Sequence, residues 1–469
     1  MDMTFFKTSR ALTNYDVVVV GAGAAGVTAA AAAARFGKRT LLIESGSVPG
    51  GELISGMPVD GAVNARGEWI MGGIGRELFD ECNLLGGYIG PINDHRLIYY
   101  VAFDPEIMKI AIVRVLNRYH VDLLLHSFVC GVNTTAGRVQ SLIILNKSGL
   151  TEIQANIFLD CSGDGDLCVL SGASFVKGGD EGAFQPISLM FRLSGVETEP
   201  LLDFARKNPE SLALGESETM RAGRTDGELA ESLYLQGQPA VFFRGDGPLL
   251  ERAIRQGDLF PTALIMIQPT SAARKEVCLN TTRIANIDAT DTKALSQTLG
   301  ILMEQVLQCT SFVKTNVPGF RNAVLAATAP RLGIRETRRI IGEYSLTRTE
   351  VLDGNKNLEG VAKGCHHVDI HQEGTGQIRI PVASGGSYDI PWGCLIPKGL
   401  SNILVAGRCA SADRDANGSL RVMGSCMGMG HAIGIAATQL QSGQDVRELS
   451  IKVLRDALQQ SGVILDGVY

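Results

Sequence analysis

The sequence predicts an α/β protein: a nucleotide-binding domain on a parallel central sheet, three layers deep, with an α+β domain inserted into it. Three observations predict this. The β-branched run "DVVVV" (16–20) ends in a glycine-rich turn and is followed by an alanine-rich helix and a second apolar strand, a β-α-β unit with parallel strands. Near the other end, "NILVAG" is another buried strand, followed by an apolar, glycine-studded helix over 423–441. Between them, about 196 to 258 is richer in charge and turns, which marks a different unit.

Taken in order, the first helix runs from about Ala24 to Phe36, with Gly37 placed to end it, and "RTLLIE" closes the second strand at Glu44. "PEIMKIAIVRVLNRYH" (105–120) has helical periodicity. "VDLLLHSFVCGV", "RVQSLIIL" and "ANIFLDC" read as strands, "ALIMIQ" and "KEVCLNT" as a strand pair, and 291–309 as a long helix. The resulting division is a discontinuous nucleotide-binding domain (14–190 and 385–445), a substrate domain (191–384), and a C-terminal helix and tail (446–469).

Composition narrows the function. The chain has 469 residues, 45% hydrophobic and 20% charged, ample for a large core. A net charge of −6, with lysines and arginines dispersed, gives no footprint for nucleic acid or anionic membrane. The N-terminus "MDMTFFKTSRALTNYD" lacks the apolar core of an export signal, and "GVTAAAAAARFG" is too short to span a bilayer. Ten scattered cysteines with no CxxC pair read as reduced thiols, so a cytoplasmic location is expected. A homo-oligomer stays open.

"GAGAAG" carries the strongest chemical signal. Gly21 permits the tight turn, Gly23 lets the backbone approach a pyrophosphate, and Gly26 lets helix pack on strand, with Ala24 and Ala25 opening the helix whose free N–H groups face the phosphates. Glu44 lies 18 residues beyond Gly26, where a ribose-binding acid belongs, with Ser45 beside it. This is a Rossmann-type fingerprint that leaves FAD and NAD open. Further strand-end glycines, Gly50 and Gly51 in "PGGE", Gly163 in "FLDCSGDGD" and Gly407 in "LVAGRCASAD", suit a long ligand such as FAD or are plain turns. No second GxGxxG follows a strand, so no separate nicotinamide-nucleotide domain is expected and the electron acceptor is unassigned.

With "GAGAAG", "GGELISGM", "GGIGREL", "LDCSGDGDL", "FQPISLMFRLSGV", "PRLGIRETRRIIGEYSLT", "YDIPWGCLIP" and "NILVAGRCASA...RVMGSCMGMGHAIGIAA" in this order, the chain resembles the FAD-dependent oxidoreductases of the glutathione-reductase-like flavoprotein superfamily. The resemblance implies non-covalent FAD across the Rossmann-type domain, with a sheet-based substrate domain over the isoalloxazine ring. By position it implies that Gly21, Gly23 and Gly26 hold the pyrophosphate and Glu44 the adenosine ribose. It further implies backbone approaches at Gly51, Ser162, Gly163 and Asp164, and a wall contact at Val129. Gly407, Arg408, Arg421, Met423 and Gly424 fall in the segments near the ribityl chain and ring. His431 and Cys161 depart from the usual residues, and His431 is expected to alter the flavin's surroundings.

"GCHHVDIHQ" (364–372) has three readings: a metal site, a solvated polar loop, or an acid/base cluster. Its spacing matches no common zinc pattern, so no metal is expected. As an extended strand, Asp369 and His371 share a face, so a carboxylate orients an imidazole that takes the proton when a hydride leaves. His371 is the first choice, with His366 and His367 behind it. In "PRLGIRETRRIIGEY" (330–344), read as a strand, Arg331, Arg335 and Arg339 share a face that either grips a carboxylate substrate or forms surface ion pairs. Tyr388 donates to a substrate oxygen or fills space. Cys426, at a helix start where the dipole lowers a thiol pKa, either touches the flavin or is structural.

The function expected is hydride transfer between a small polar substrate, with or without a carboxylate, and flavin N5. The alternatives are a non-redox flavin-dependent isomerase or lyase, and a dinucleotide-binding regulatory protein without turnover.

Overall fold

The protein's structure is a computed structural model that describes residues 12–179 and 182–467. Most of the N-terminal stretch read above for an export signal, and the last two residues of the tail, lie outside the described residues. Among the described residues, no helix is long and apolar enough to cross a membrane.

The central sheet has seven strands. Leu12–Val20 lies between Thr40–Ile43 and Gly149–Asp160, parallel to both, and Asp122–Leu124 extends the parallel set beyond Thr40–Ile43. The 12-residue strand Gly149–Asp160 has two roles. Its first half pairs antiparallel with Arg138–Asn146, which pairs with Phe128–Thr135, while its end, 158–160, pairs parallel with Ile403–Val405. The sheet is therefore parallel over its core strands and an antiparallel meander at one edge.

Covering helices explain the unbroken valine run. Val17 and Val19 enter one core and Val18 and Val20 another, so both faces are buried and no polar alternation is needed. The helix Ala24–Arg35 packs on this sheet, and Met423–Gln439 packs on that helix through glycine: a Cβ at Gly430 would lie 2.1 Å from Ala25 O, and one at Gly434 2.4 Å from Ala29 O. Such backbone contact needs small residues on both sides.

A second sheet, antiparallel throughout, runs in the order Val241–Arg244, Leu264–Ser271, Glu276–Asn280, Phe191–Ser194, Val324–Thr328. The helix Thr292–Asn316 buries Leu302, Val306, Cys309, Phe312 and Val313 in the same core as this sheet, and runs seven residues past the end expected from sequence. That core spans residues 187–329, whereas 346–382 return to the first core. On this packing we propose that the inserted unit closes near 329, earlier than the sequence division places it.

Two local readings change. The region 196–258 holds the helices Thr198–Lys207, Asp226–Gln236 and Pro248–Gln256. Their starts carry a Thr225–Glu228 capping box and a first-turn Pro248, and left-handed Gly237 and Gly257 end the latter two. The arginine run is a strand only over Arg338–Ile340, so Arg331, Arg335 and Arg339 do not share one strand face.

Candidate active site

A cavity of about 360 Å³ opens at the carboxyl ends of the parallel strands, walled by Val20–Gly21, Ile43–Glu44, Cys161–Asp164 and Gly407–Arg408. This is where an open α/β sheet places its ligand, because successive strand ends diverge into helices there. Gly21 has φ +94°, and a Cβ on it would lie 2.5 Å from Cys161 O. Gly26 is tighter still, 1.7 Å from Gly21 O, so it serves packing and does not face the cavity. At Gly23 a Cβ would meet nothing within 4 Å. Gly23 is also the N-cap of Ala24–Arg35 and supplies no side-chain acceptor, so the helix start faces open space with its N–H groups uncapped.

Ala24 and Ala25 border this space, and Gly51 closes on it, its Cβ position 2.8 Å from Gly23 Cα. Gly50 does not reach the wall; it donates to Ala22 O at 2.7 Å and shapes the turn. Glu44 is fixed at both oxygens, by Ala22 N (2.8 Å) and Gly46 N (2.7 Å), and shares its end of the cavity with Ser45, Ser127 and Val129. Ser162, Gly163 and Asp164 form the middle wall, where Arg408 ion-pairs with Asp164 and lies against Gly163.

The far end is built by both cores. Asp60, Arg421, Met423 and Cys426 come from one side, and Ser188, Met190, Asn280, Arg331 and Arg335 from the other. Gly424 faces away, with its Cβ position 2.2 Å from Gly61 C. Cys426 borders the cavity, but burial pushes its thiol up to about 12 and its Sγ–H donates to Arg421 O, so the expected helix-lowered thiolate is absent. His431 is remote from the cavity: its Nδ1 accepts from Ile74 N at 3.1 Å and its Nε2 donates to Ser461 Oγ at 2.8 Å, a structural role.

Asn280 and Arg335 border a second recess of about 20 Å³ as well, with Thr262, Arg283, His371 and Gln377. Arg335 is half-buried, and desolvation and then Arg421 push its guanidinium down to about 9. Its hydrogen bonds go to Pro186 O and Ser188 Oγ, both at 2.6 Å. Arg331 instead faces Glu52 at 3.5 Å, and Arg339 donates to Gly178 O, away from either cavity.

The strand Val368–His371 puts Asp369 and His371 on one face, with His371 Nε2 2.9 Å from Asp369 Oδ2. Burial, helped by Arg335 and Arg421, holds the imidazole down to about 3 against the pull of Asp369. Burial alone would raise Asp369, but His371, His367 and Arg421 hold it well below the usual carboxylate range. A neutral imidazole donating Nε2–H to an ionised carboxylate satisfies both, and leaves Nδ1 able to accept a proton.

His366 and His367 do not line either cavity. Their rings stack at 3.9 Å, and burial lowers both pKa values. Tyr388 is fully buried with its hydroxyl 2.8 Å from Ser419 Oγ, so it fills space away from the cavity. Among the described residues, no three of His, Cys, Asp or Glu converge as a metal-ligand set.

Sequence reasoning missed Asp60 and Asn280. An acid inside the apolar stretch "GMPVDGAV" was the available sign for the first; for Asn280, at a strand end, there was none.

The family described as FAD dependent oxidoreductase matches residues 16–458. The chain belongs to this family. It is an FAD-dependent oxidoreductase, a flavoprotein whose cofactor is FAD. A shorter match, 42% identical over 88 residues, is to the tRNA uridine 5-carboxymethylaminomethyl modification enzyme MnmG of Parabacteroides distasonis. It covers 19% of this chain and 12% of that enzyme. The corresponding enzyme of Flavobacterium johnsoniae is 40% identical over 90 residues, again 19% of this chain and 12% of the relative. The chain thus matches about an eighth of these curated relatives' length.

Among solved structures, the chain is similar to the flavin-dependent brominase Bmp2 (TM-score 0.48, 13% identity, 95% of this chain and 84% of that one). It is also similar to a geranylgeranyl bacteriochlorophyll reductase-like protein of Thermoplasma acidophilum (0.46, 12%, 96% and 82%). At TM-scores under 0.5 these likenesses bear on neither substrate nor reaction.

Proposed function

We propose that the enzyme transfers a hydride between a small carboxylate-bearing substrate and FAD, and that it belongs to the glutathione-reductase-like superfamily, as its motif order supports. Gly23 and the helix start at Ala24 would hold the pyrophosphate, Glu44 the adenosine ribose, and Gly163, Arg408 and Met423 the remainder; the open space at Gly23 fits this assignment. Bound FAD supplies a ring nitrogen, N5, that takes or returns the hydride.

Arg335 carries the proposal. It is a half-buried guanidinium whose hydrogen bonds all go to neutral oxygens, and it stands where the main cavity meets the recess. A half-shielded guanidinium with no hydrogen-bonded carboxylate has donors to spare, so a substrate carboxylate would supply both the counter-charge and a bidentate partner. His371, in the same recess, would exchange the substrate proton at Nδ1, and Asp369 would fix its ring.

The test is anaerobic bleaching of the flavin by a panel of small carboxylates and their amides. Carboxylates should bleach and amides should not, and Arg335→Met should raise KM about 30- to 1000-fold, as loss of a buried charge partner does. His371→Ala should slow bleaching by about 10²- to 10⁴-fold with FAD content unchanged. Because His371 is held neutral, the rate should fall with acid only below the ordinary histidine range. Amides that bleach as fast as acids would remove the carboxylate reading.

A further inference from the structure

Asp60 ends the two-residue strand Val59–Asp60, is 6% exposed, and borders the main cavity. Across the antiparallel ladder it pairs with Tyr100, so the two side chains share a face, and the buried Tyr100 hydroxyl has no hydrogen-bond partner. Among the described residues, no donor hydrogen-bonds to the Asp60 carboxyl.

The groups around it are Asp94, Arg96, Tyr100, Cys365, Asp369 and Arg421. Both guanidiniums pair with other carboxylates, Arg96 Nε with Glu216 at 3.0 Å and Arg421 with Asp369 at 3.5 Å, while Arg96 Nη2 and Arg421 Nε have no hydrogen-bond partner. Asp94 is turned onto its own loop, its Oδ1 accepting from the N–H groups of Arg96, Leu97 and Ile98. Asp60 is thus the surplus carboxyl of the cluster, buried at the cavity wall without a cation of its own.

We propose that Asp60 exchanges protons with the charge state of the cavity: when the flavin bound there takes up two electrons, Asp60 takes up a proton from solvent, and it releases that proton on reoxidation. Electrons entering the cavity add negative charge beside a carboxyl that already faces two others, and the cheapest relief is neutralisation of the one that lacks a partner. Burial, then Asp94 and Asp369, raise its pKa to about 7, against Arg96 and Arg421, so the change of state falls within the working pH range. The proposal does not depend on the substrate being a carboxylate.

The test is a spectroelectrochemical titration of the FAD-loaded enzyme over a pH series, with dithionite as the source of both electrons. Above neutrality, the wild-type protein should take up about one proton more per two electrons than Asp60→Asn, while Asp94→Asn retains that extra proton. Equal proton uptake by wild type and Asp60→Asn would overturn the assignment. Should Asp60→Asn fail to hold FAD, reduced-minus-oxidised infrared spectra of the wild-type enzyme labelled at aspartate carboxyl carbon decide it. A label-shifted, deuterium-sensitive carboxylic acid band should appear on reduction and persist in Asp94→Asn. Its absence, or its loss in Asp94→Asn, would overturn the proposal.

Discussion

At residue 23 a new side chain would enter open space, whereas at 21 and 26 it would strike backbone carbonyls. Gly23→Val therefore separates binding from folding: the expected product is folded by circular dichroism and urea unfolding but lacks the flavin absorbance of the wild type. Gly26→Val should not accumulate as folded protein at all. A yellow Gly23→Val variant would mean that the pyrophosphate lies elsewhere. This loop was readable from sequence because six adjacent letters state backbone demands. The pairing of Asp369 with His371 was readable too, since alternation along four extended residues fixes their common face. Asp60 was not, because the residues that isolate it come from the 94–96 turn, the 365–369 segment and Arg421, which only the tertiary fold brings together. Arg335 shows the intermediate case: the residue was singled out, but its setting follows from contacts with Pro186 and Ser188 and not from a strand face.

The glycines of the last long helix act at the scale of elements. The resemblance implied that Gly424 lies near the flavin; the structure instead turns Gly424 onto Gly61 and Gly430 and Gly434 onto the first helix, and leaves Met423 and Cys426 on the cavity wall. Thr28 Oγ1 reinforces the same crossing by donating to Met427 O at 2.9 Å. Gly430→Ala would place a methyl 2.1 Å from Ala25 O, at the cavity-facing start of the first helix. The helices must part, at a cost of about 1–3 kcal/mol for an overpacked contact. The urea midpoint should drop and FAD should wash out faster on dialysis; unchanged FAD retention would show that the crossing does not set the loop. By contrast, the short helices between 198 and 256 were missed although their caps are written in the sequence, because at 10, 11 and 9 residues each offers only about three turns over which a period can repeat.

Across the whole molecule, the cavity depends on two cores staying in register, since the segments of one supply Asp60 and Arg421 and those of the other Met190 and Asn280. An ionic joint links them. Arg192, on the inserted sheet, donates to Glu276 at 3.0 Å and to Glu106 at 2.6 Å on the helix Pro105–Arg118. Arg274 grips Asp104, the N-cap of that helix, at 2.7 and 2.9 Å. Burial would raise the Glu276 carboxyl, but Arg274, Arg192 and Ser194 hold it below the usual range. A carboxylate with a lowered folded pKa contributes stability above its unfolded pKa, near 4.5, and loses it as pH falls through the folded value. Arg192→Met keeps the bulk of the stem but leaves Glu276 with one guanidinium, so it should cost about 3–5 kcal/mol at neutral pH, with a smaller cost in acid as the carboxylates protonate. On the proposed assignment of FAD to this cavity, which both cores wall, added FAD should raise the melting temperature of the variant in proportion to the logarithm of its concentration. Urea unfolding at two pH values and a thermal-shift series with FAD measure both effects. If the variant matches the wild type at neutral pH, the Arg192 link does not hold the cores together, and the register of the cavity must rest on the Arg274–Asp104 pair and apolar packing.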